Sequence, residues 1–378
     1  MKKVGTITFW WSKENYGQIL QCFALLRFLR NSGYDAFLIK LYNNPKNHSY
    51  LRKAKTLLKY LLHPKQLKHR INLRDENAVF KQNGRIQART EKEFPRSFEK
   101  FLEKNIPSTQ NIYTSKTLFA NPPDADAYIC GSDQIWGSGL VPEYFLQFAK
   151  QGVKKIAYAP SLGGYIPSSN EKAKIKQYLS SFSWITLREK QGVEVLKSIG
   201  IADCEKVPDP TLLLTSEDYR KLYDNQNFFE IKRPYILLYL LGNPIDLEIR
   251  SIYDFAQQHG LEVKYVASQG REDSFEKIYP TIEHWLYLID NADYVITNSF
   301  HGTVFCLQYH KKFLTIPVCG PLSRMNGRVM DLLNEYSLTE RLYTNDLGVI
   351  LSSIDFSVFD TKRQAQIKYI YQKIKEII

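Results

Sequence analysis

Short apolar runs alternate with stretches of helical spacing along most of the chain. Residues 4–9 alternate and are β-branched, which predicts a strand. A polar loop is expected over residues 10–17. Residues 18–31 then place Ile19, Cys22, Phe23, Leu26 and Leu29 at the spacing of an amphipathic helix. Ser32 and Gly33 end it, and residues 36–41 read as the next strand. Strand, helix and strand in that order form a βαβ unit, which implies a parallel sheet.

The same signature returns from residue 126 onward. Strands are predicted at 127–130, 155–159 and 184–187, with a helix at 190–198 and a break at Val207-Pro208-Asp209-Pro210. Residues 215–232 are polar and carry the expected domain boundary. A second βαβ unit follows, with a strand at 235–240, a loop at 242–244, a helix at 245–259 and a strand at 261–267. A later strand at 294–297 leads into a helix at 302–309. The final helix, 363–378, carries Ile367, Ile370, Tyr371, Ile374 and Ile378 on one side and is expected to cross back to the first domain. The expected organisation is α/β. Residues 1–222 form one Rossmann-like domain with a basic helical insertion at about 45–110, and residues 223–360 form a second. Residues 361–378 form the returning helix.

Composition narrows the class. A chain of 378 residues exceeds what one core usually serves. Hydrophobic residues at 44% and charged residues at 24% exclude disorder. The opening apolar run is too short for a signal peptide, and no stretch reaches the roughly 20 apolar residues of a membrane span. A cytoplasmic protein is expected. The five cysteines, Cys22, Cys130, Cys204, Cys306 and Cys319, are scattered without metal-ligand spacing and read as small buried hydrophobes. The formal charge of +12 predicts attraction to anions. Part of it lies between Arg52 and Arg74, where eight Lys or Arg occur without an acid. That segment reads either as a solvated helix capping a groove or as a patch (residues 51–74) resting on the inner face of an anionic membrane. With basic residues concentrated there and no recognised module, nucleic acid is not an expected partner.

Ligands of open parallel sheets bind beyond the carboxyl ends of the strands. That rule selects Lys13, Asn15, Tyr16 and Gly17 in the first loop, Ser132 and Asp133, Ser161, Arg188, and Asn298 through Gly302. Singly, each Ser, Asp or Asn is an ordinary helix cap; their repetition in both halves argues for a cleft between domains. At Asn298-Ser299-Phe300-His301-Gly302 a strand gives way to a helix whose free N–H groups and dipole form an anion site. His301 there can donate to phosphate or transfer a proton. Arg188 suits bidentate binding of carboxylate or phosphate, or a surface ion pair with Glu189 or another acid. Arg324 and Arg328 either face the same cleft or decorate a helix start. A Walker A sequence, a G-x-G-x-x-G after the first strand, a metal-ligand cluster and a G-x-S-x-G elbow are all missing.

Five stretches in order resemble the polysaccharide pyruvyl transferases. They are Asn15-Tyr16-Gly17 with Gln21 and Ala24-Leu25, Gly131-Ser132-Asp133-Gln134-Ile135-Trp136, Leu187-Arg188-Glu189, Asp209-Pro210-Thr211, and the run from Asn291 to Gly302. The resemblance implies a GT-B-like pair of Rossmann-like domains with the active-site cleft between them. It implies phosphoenolpyruvate as co-substrate and no cofactor; the missing ligand cluster implies no metal. The implied acceptor is a hexose in a polysaccharide or its polyprenyl-diphosphate-linked precursor, bridged as a cyclic pyruvate ketal. It implies Arg188 and His301 as the donor-binding and catalytic pair. Asp133 is expected to orient or deprotonate the sugar hydroxyl. Asn15, Tyr16, Gly17, Gln21, Ser132, Ser161, Asn298, Ser299, Phe300, Gly302, Arg324 and Arg328 are expected to bind substrate. Where family members often have Arg or Ser before the x-H-G element, this chain has Ser299. The rival readings are a GT-B glycosyltransferase using a nucleotide sugar and a non-catalytic binder of anionic polymer or membrane.

Overall fold

A computed structural model describes residues 1–42, 78–79, 81–82, 85–86, 89–137, 139–226, 228, 233–242, 245–268 and 270–378. Two parallel sheets organise the chain. The first has six strands in the order β2-β1-β3-β4-β5-β6, with β1 at Lys3–Ile7, β2 at Asp35–Leu38, β3 at Ala127–Cys130, β4 at Lys154–Ala157, β5 at Trp184–Leu187 and β6 at Glu205–Lys206. The second has four in the order β10-β9-β7-β8, with β7 at Tyr235–Tyr239, β8 at Glu262–Val266, β9 at Tyr294–Thr297 and β10 at Lys312–Thr315. Every named pairing is parallel. The fold is therefore α/β with parallel sheets, as the patterning predicts. The expected basic segment at 51–74 lies outside the described residues.

Strand order reverses once in each sheet. In the first, β1 continues to β2 on one side, while β3 lies on the other. In the second, β7 is followed by β8 on one side and β9 on the other. These reversals open crevices beyond the carboxyl ends of β1 and β3 and of β7 and β9. The helices that serve this region are α1 (Tyr16–Asn31), α2 (Phe98–Asn105), α3 (Lys190–Ser198), α4 (Ile282–Asp290), α5 (Phe300–Gln308), α6 (Asn326–Glu335) and α7 (Ser357–Ile377). One apolar cluster is continuous between the sheets, joining Ile129 and Ile156 of the first to Leu237 and Val295 of the second through α1 and α5. Separate clusters cover the outer face of each sheet. Helix α7 touches the first sheet's half through Tyr369, whose hydroxyl lies 2.7 Å from Glu205. Arg363 donates to the Leu212 carbonyl at 3.0 Å.

Helix α1 begins two residues before its expected start. Asn15 caps it, accepting from the Gln18 amide at 3.1 Å, so Tyr16 and Gly17 are helical rather than loop residues. This places Tyr16 in the seam between the sheets. Its ring stacks on Trp285 of α4 at 4.8 Å and 6°, and its hydroxyl donates to the Pro280 carbonyl at 2.8 Å. Arg96 completes the seam. It donates to the Ala267 carbonyl at 3.1 Å, sits over the Tyr279 ring, and lies 3.7 Å from the buried Glu14 carboxylate.

Burial pushes the Glu14 carboxyl up to about 7, opposed by the charge of Arg96 and reinforced by that of Glu91. The folded chain thus holds this proton more tightly than the unfolded chain. Its stabilising contribution is full below the ordinary value of 4.5 and is lost as pH rises through about 7. Stability should therefore fall by up to about 3 kcal/mol between pH 5 and pH 8 from this group. Glu14→Gln should flatten that part of the profile in urea titrations; an unchanged slope would show that another group causes it.

Candidate active site

A cavity of about 390 Å³ lies between the two strand-order reversals. Phe9, Asn15, Gln18, Asp133 and Gln134 line it from the first sheet's half. Leu241, Asn298, Ser299, Phe300, His301, Asn326 and Arg328 line it from the second. Polar strand-end clusters from both halves thus face one space.

Asp209 organises the charged groups beneath it. It is 2% exposed and accepts from the Thr211 amide at 3.0 Å, the Thr211 hydroxyl at 2.7 Å and the Arg188 guanidinium at 2.8 Å. His301 Nε2 lies 3.6 Å from the same carboxylate, just beyond hydrogen-bond range. Burial works against charge on Asp209. The proximity of His301, then Arg188 and the Thr211 amide, outweigh it and hold the carboxyl far below the usual range. Arg188 is thus a buried cation paired to a buried anion, not a surface partner of Glu189. Its second nitrogen lies 3.7 Å from Asp133, and its plane covers the Phe300 ring at 4.7 Å.

Arg328 approaches the same ring at 5.8 Å. Burial, followed by repulsion from Arg188, pushes its guanidinium down to about 10. Several donors here are buried with no hydrogen-bond partner among the described residues: Arg188 Nε and Nη2, Arg328 Nε, and His301 Nε2 if it carries the proton. Helix α5 starts beside them. Ser299 caps it by accepting from Gly302 N at 3.2 Å. The amides of Phe300 and His301 find no acceptor among the described residues. Unsatisfied buried donors each cost about 1–3 kcal/mol, so an anion with several acceptor oxygens fits this arrangement.

The structure separates the expected site residues into two groups. Asn15, Asp133, Asn298, Ser299, Phe300, His301 and Arg328 face the cavity. Arg188 does not reach its surface and acts from behind Phe300. The others are spent on scaffold. Tyr16 is buried in the seam. Gln21 accepts from the Ser132 amide at 3.1 Å and donates to Thr8. Ser132 donates to the Ala159 carbonyl, and Ser161 to Glu189 at 2.9 Å. Asn298 lines the wall, but its amide clips both Leu241 N and Leu241 O. Gly302 packs on Thr297, where an added Cβ would come within 2.5 Å of the hydroxyl. Arg324 lies in the turn Gly320–Met325, and its side chain is outside those described.

Gly17 has a different task from substrate contact. A Cβ there would lie 2.1 Å from His301 Nδ1, so the missing side chain is the seat of the imidazole. Asp133, in the cavity wall, has a left-handed backbone, φ 64°. The patterning missed Gln18, Gln134 and the organising role of Asp209. The motif Asp209-Pro210-Thr211 was the available signal for the last. Among the described residues, no group of three or more His, Cys, Asp or Glu is placed to hold a metal ion.

Asp209→Asn should leave the buried Arg188 with only its longer contact to Asp133 and destabilise the fold by about 3 kcal/mol in urea. Arg188→Met with Asp209→Leu should recover much of that loss. Equal destabilisation by the single and double variants would contradict a coupled pair.

A family model for polysaccharide pyruvyl transferases matches residues 15–320. No curated protein sequence matches the chain. Among solved structures, a UDP-GlcNAc 2-epimerase from Neisseria meningitidis bound to UDP-GlcNAc is similar at TM-score 0.44 and 10% identity, over 100% of this chain and 95% of that one. The glycosyltransferase SsfS6 of Streptomyces sp. SF2575, complexed with thymidine diphosphate, is similar at 0.42 and 14%, over 100% of both chains.

Proposed function

The chain belongs to the polysaccharide pyruvyl transferase family, and from that premise we propose that it transfers the pyruvyl group of phosphoenolpyruvate to two hydroxyls of a hexose, forming a cyclic ketal. The observation that carries the proposal is the set of unpartnered donors around His301, Arg328 and the start of α5, facing the Asp133 carboxylate across one cavity. Phosphoenolpyruvate is a small anion with a carboxylate and a phosphate, and it needs cations and N–H groups for both. Arg328 and the amides of Phe300 and His301 supply them at the cavity surface. Arg188 sits one layer deeper and joins through Phe300 and Asp209.

The reaction begins with protonation of the methylene carbon, which leaves a cationic centre at C2. One sugar hydroxyl adds there and loses its proton. The C2–O bond to phosphate breaks, and a second hydroxyl closes the ring, so one phosphate leaves per ketal formed. His301 is the proposed phosphate ligand and proton relay. The Asp209 carboxylate lies 3.6 Å from its Nε2, and Asp133, on a left-handed turn in the cavity wall, is the proposed base for the hydroxyl. A well-placed acid or base of this kind contributes about 10²–10⁴-fold.

Phosphoenolpyruvate should raise the melting temperature, because a ligand of the folded state alone stabilises it by about 2.7 kcal/mol at 100 times its dissociation constant. His301→Ala should lose that response. Stabilisation by UDP-, GDP- or CMP-sugars with none by phosphoenolpyruvate would instead establish a nucleotide-sugar enzyme. Gly17→Ala should displace the imidazole and reduce turnover by about 100-fold. Helix α1 should survive it, since Ala is preferred over Gly in helices by about 1 kcal/mol. Wild-type turnover in that variant would remove the role given to Gly17.

A further inference from the structure

A second cavity of about 460 Å³ opens beside the first and shares two of its wall residues, Phe9 and Gln18. Its other walls are mostly aromatic, formed by Trp10, Trp11, Tyr42 and Tyr144 with Ile112. Trp11, Tyr42 and Ile112 are 55%, 58% and 56% exposed, so three large apolar side chains meet solvent at one place. Exposed apolar surface concentrated in this way marks a binding surface.

Hydrogen bonds hold the turn that carries the two tryptophans. The Trp10 indole donates to the Leu41 carbonyl at 3.0 Å. Gln18, from α1, donates to the Trp11 carbonyl at 2.9 Å and fixes the turn that carries both tryptophans. Trp10 and Trp11 stand 5.6 Å apart at 68°, and Phe9 meets Tyr144 edge-on at 5.4 Å and 85°. Two indole planes at a steep angle form a corner rather than a flat slab.

We propose that this groove is the subsite for the saccharide units next to the sugar that is modified, holding their C–H faces against Trp11 and Tyr42. The inference rests on the pyruvyl-transfer reading of the adjoining cavity. A sugar unit in a polymer is one glycosidic bond from its neighbour, and the shared wall at Phe9 and Gln18 puts the groove one step from the reacting centre. Sugar rings offer an apolar C–H face that packs on an aromatic plane, with hydroxyls around the rim for polar groups such as Gln18. Among the described residues no charged side chain lines the groove, so none of them offers a lipid diphosphate a counter-charge. A preference of about tenfold for the longer saccharide corresponds to about 1.4 kcal/mol shared between the two rings.

The test is a titration of tryptophan fluorescence in the full chain with cellobiose, lactose, mannobiose, chitobiose and maltotriose, each beside its monosaccharide. Wild type, Trp11→Ala and Tyr42→Ala are compared, and phosphoenolpyruvate is followed by thermal shift on the same samples. At least one oligosaccharide should bind about tenfold more tightly than its monosaccharide, and both variants should lose that advantage. No oligosaccharide advantage in wild type, or the same advantage in both variants, would overturn the proposal. So would tighter binding of decyl β-glucoside than of methyl β-glucoside that depends on Trp11, because the groove would then take an alkyl chain. Oligosaccharide binding without any phosphoenolpyruvate response would sink the donor assignment and leave the groove as a saccharide site.

Discussion

The site depends on one buried carboxylate. Asp209 lies at the exit of β6, in the first sheet's half, yet one of its neighbours is His301, at the start of a helix in the second. Its charge is held by Arg188 and by two donors from Thr211. An anion so enclosed costs several kcal/mol of desolvation, which excellent geometry must offset. The result is a fixed negative point beneath an imidazole, with a guanidinium on its other side. Arg188 then fixes Phe300 by stacking, and Arg328 approaches the same ring from the cavity. Two guanidiniums near one ring repel each other, and that repulsion is relieved when an anion joins them.

This arrangement works only if the two halves of the chain keep their spacing. The seam at α1 supplies that constraint. Tyr16 is wedged against Trp285 and Tyr239, and the next residue, Gly17, leaves room for the His301 ring. The helix cap at Asn15, the stack at Tyr16 and the imidazole seat at Gly17 are consecutive positions of one helix start. Local capping, packing between halves and placement of a reactive group are thereby coupled within three residues. The continuous apolar cluster between the sheets supports the same spacing over a wider area.

Much of the fold is legible in the sequence because strands of parallel sheets are buried on both faces and read as unbroken apolar runs. The strands at 127–130, 184–187 and 294–297 appear in the structure with those limits. Helix starts are less legible, since α1 begins at a cap whose hydrogen bond the apolar spacing does not reveal. The outline of the site follows from the strand-end rule, since Asp133, Ser299 and His301 all face the cavity. Polarity alone does not separate ligand groups from scaffold. Gln21, Ser132, Ser161 and Asn298 look equivalent to them in sequence, but each is bonded to neighbouring backbone or a buried acid. Asp209 sits in a Pro-rich break that reads as a turn, and its role emerges only when distant segments are brought together.

The most direct test of pyruvyl transfer uses polysaccharide from cells lacking this gene, incubated with the protein and phosphoenolpyruvate in D2O. Proton and phosphorus NMR would follow the mixture. The account predicts one inorganic phosphate per new ketal, and a ketal methyl group carrying deuterium, because the methylene carbon takes its proton from exchangeable groups. Phosphoenolpyruvate that stays intact while the polysaccharide gains a residue from a nucleotide sugar would contradict it.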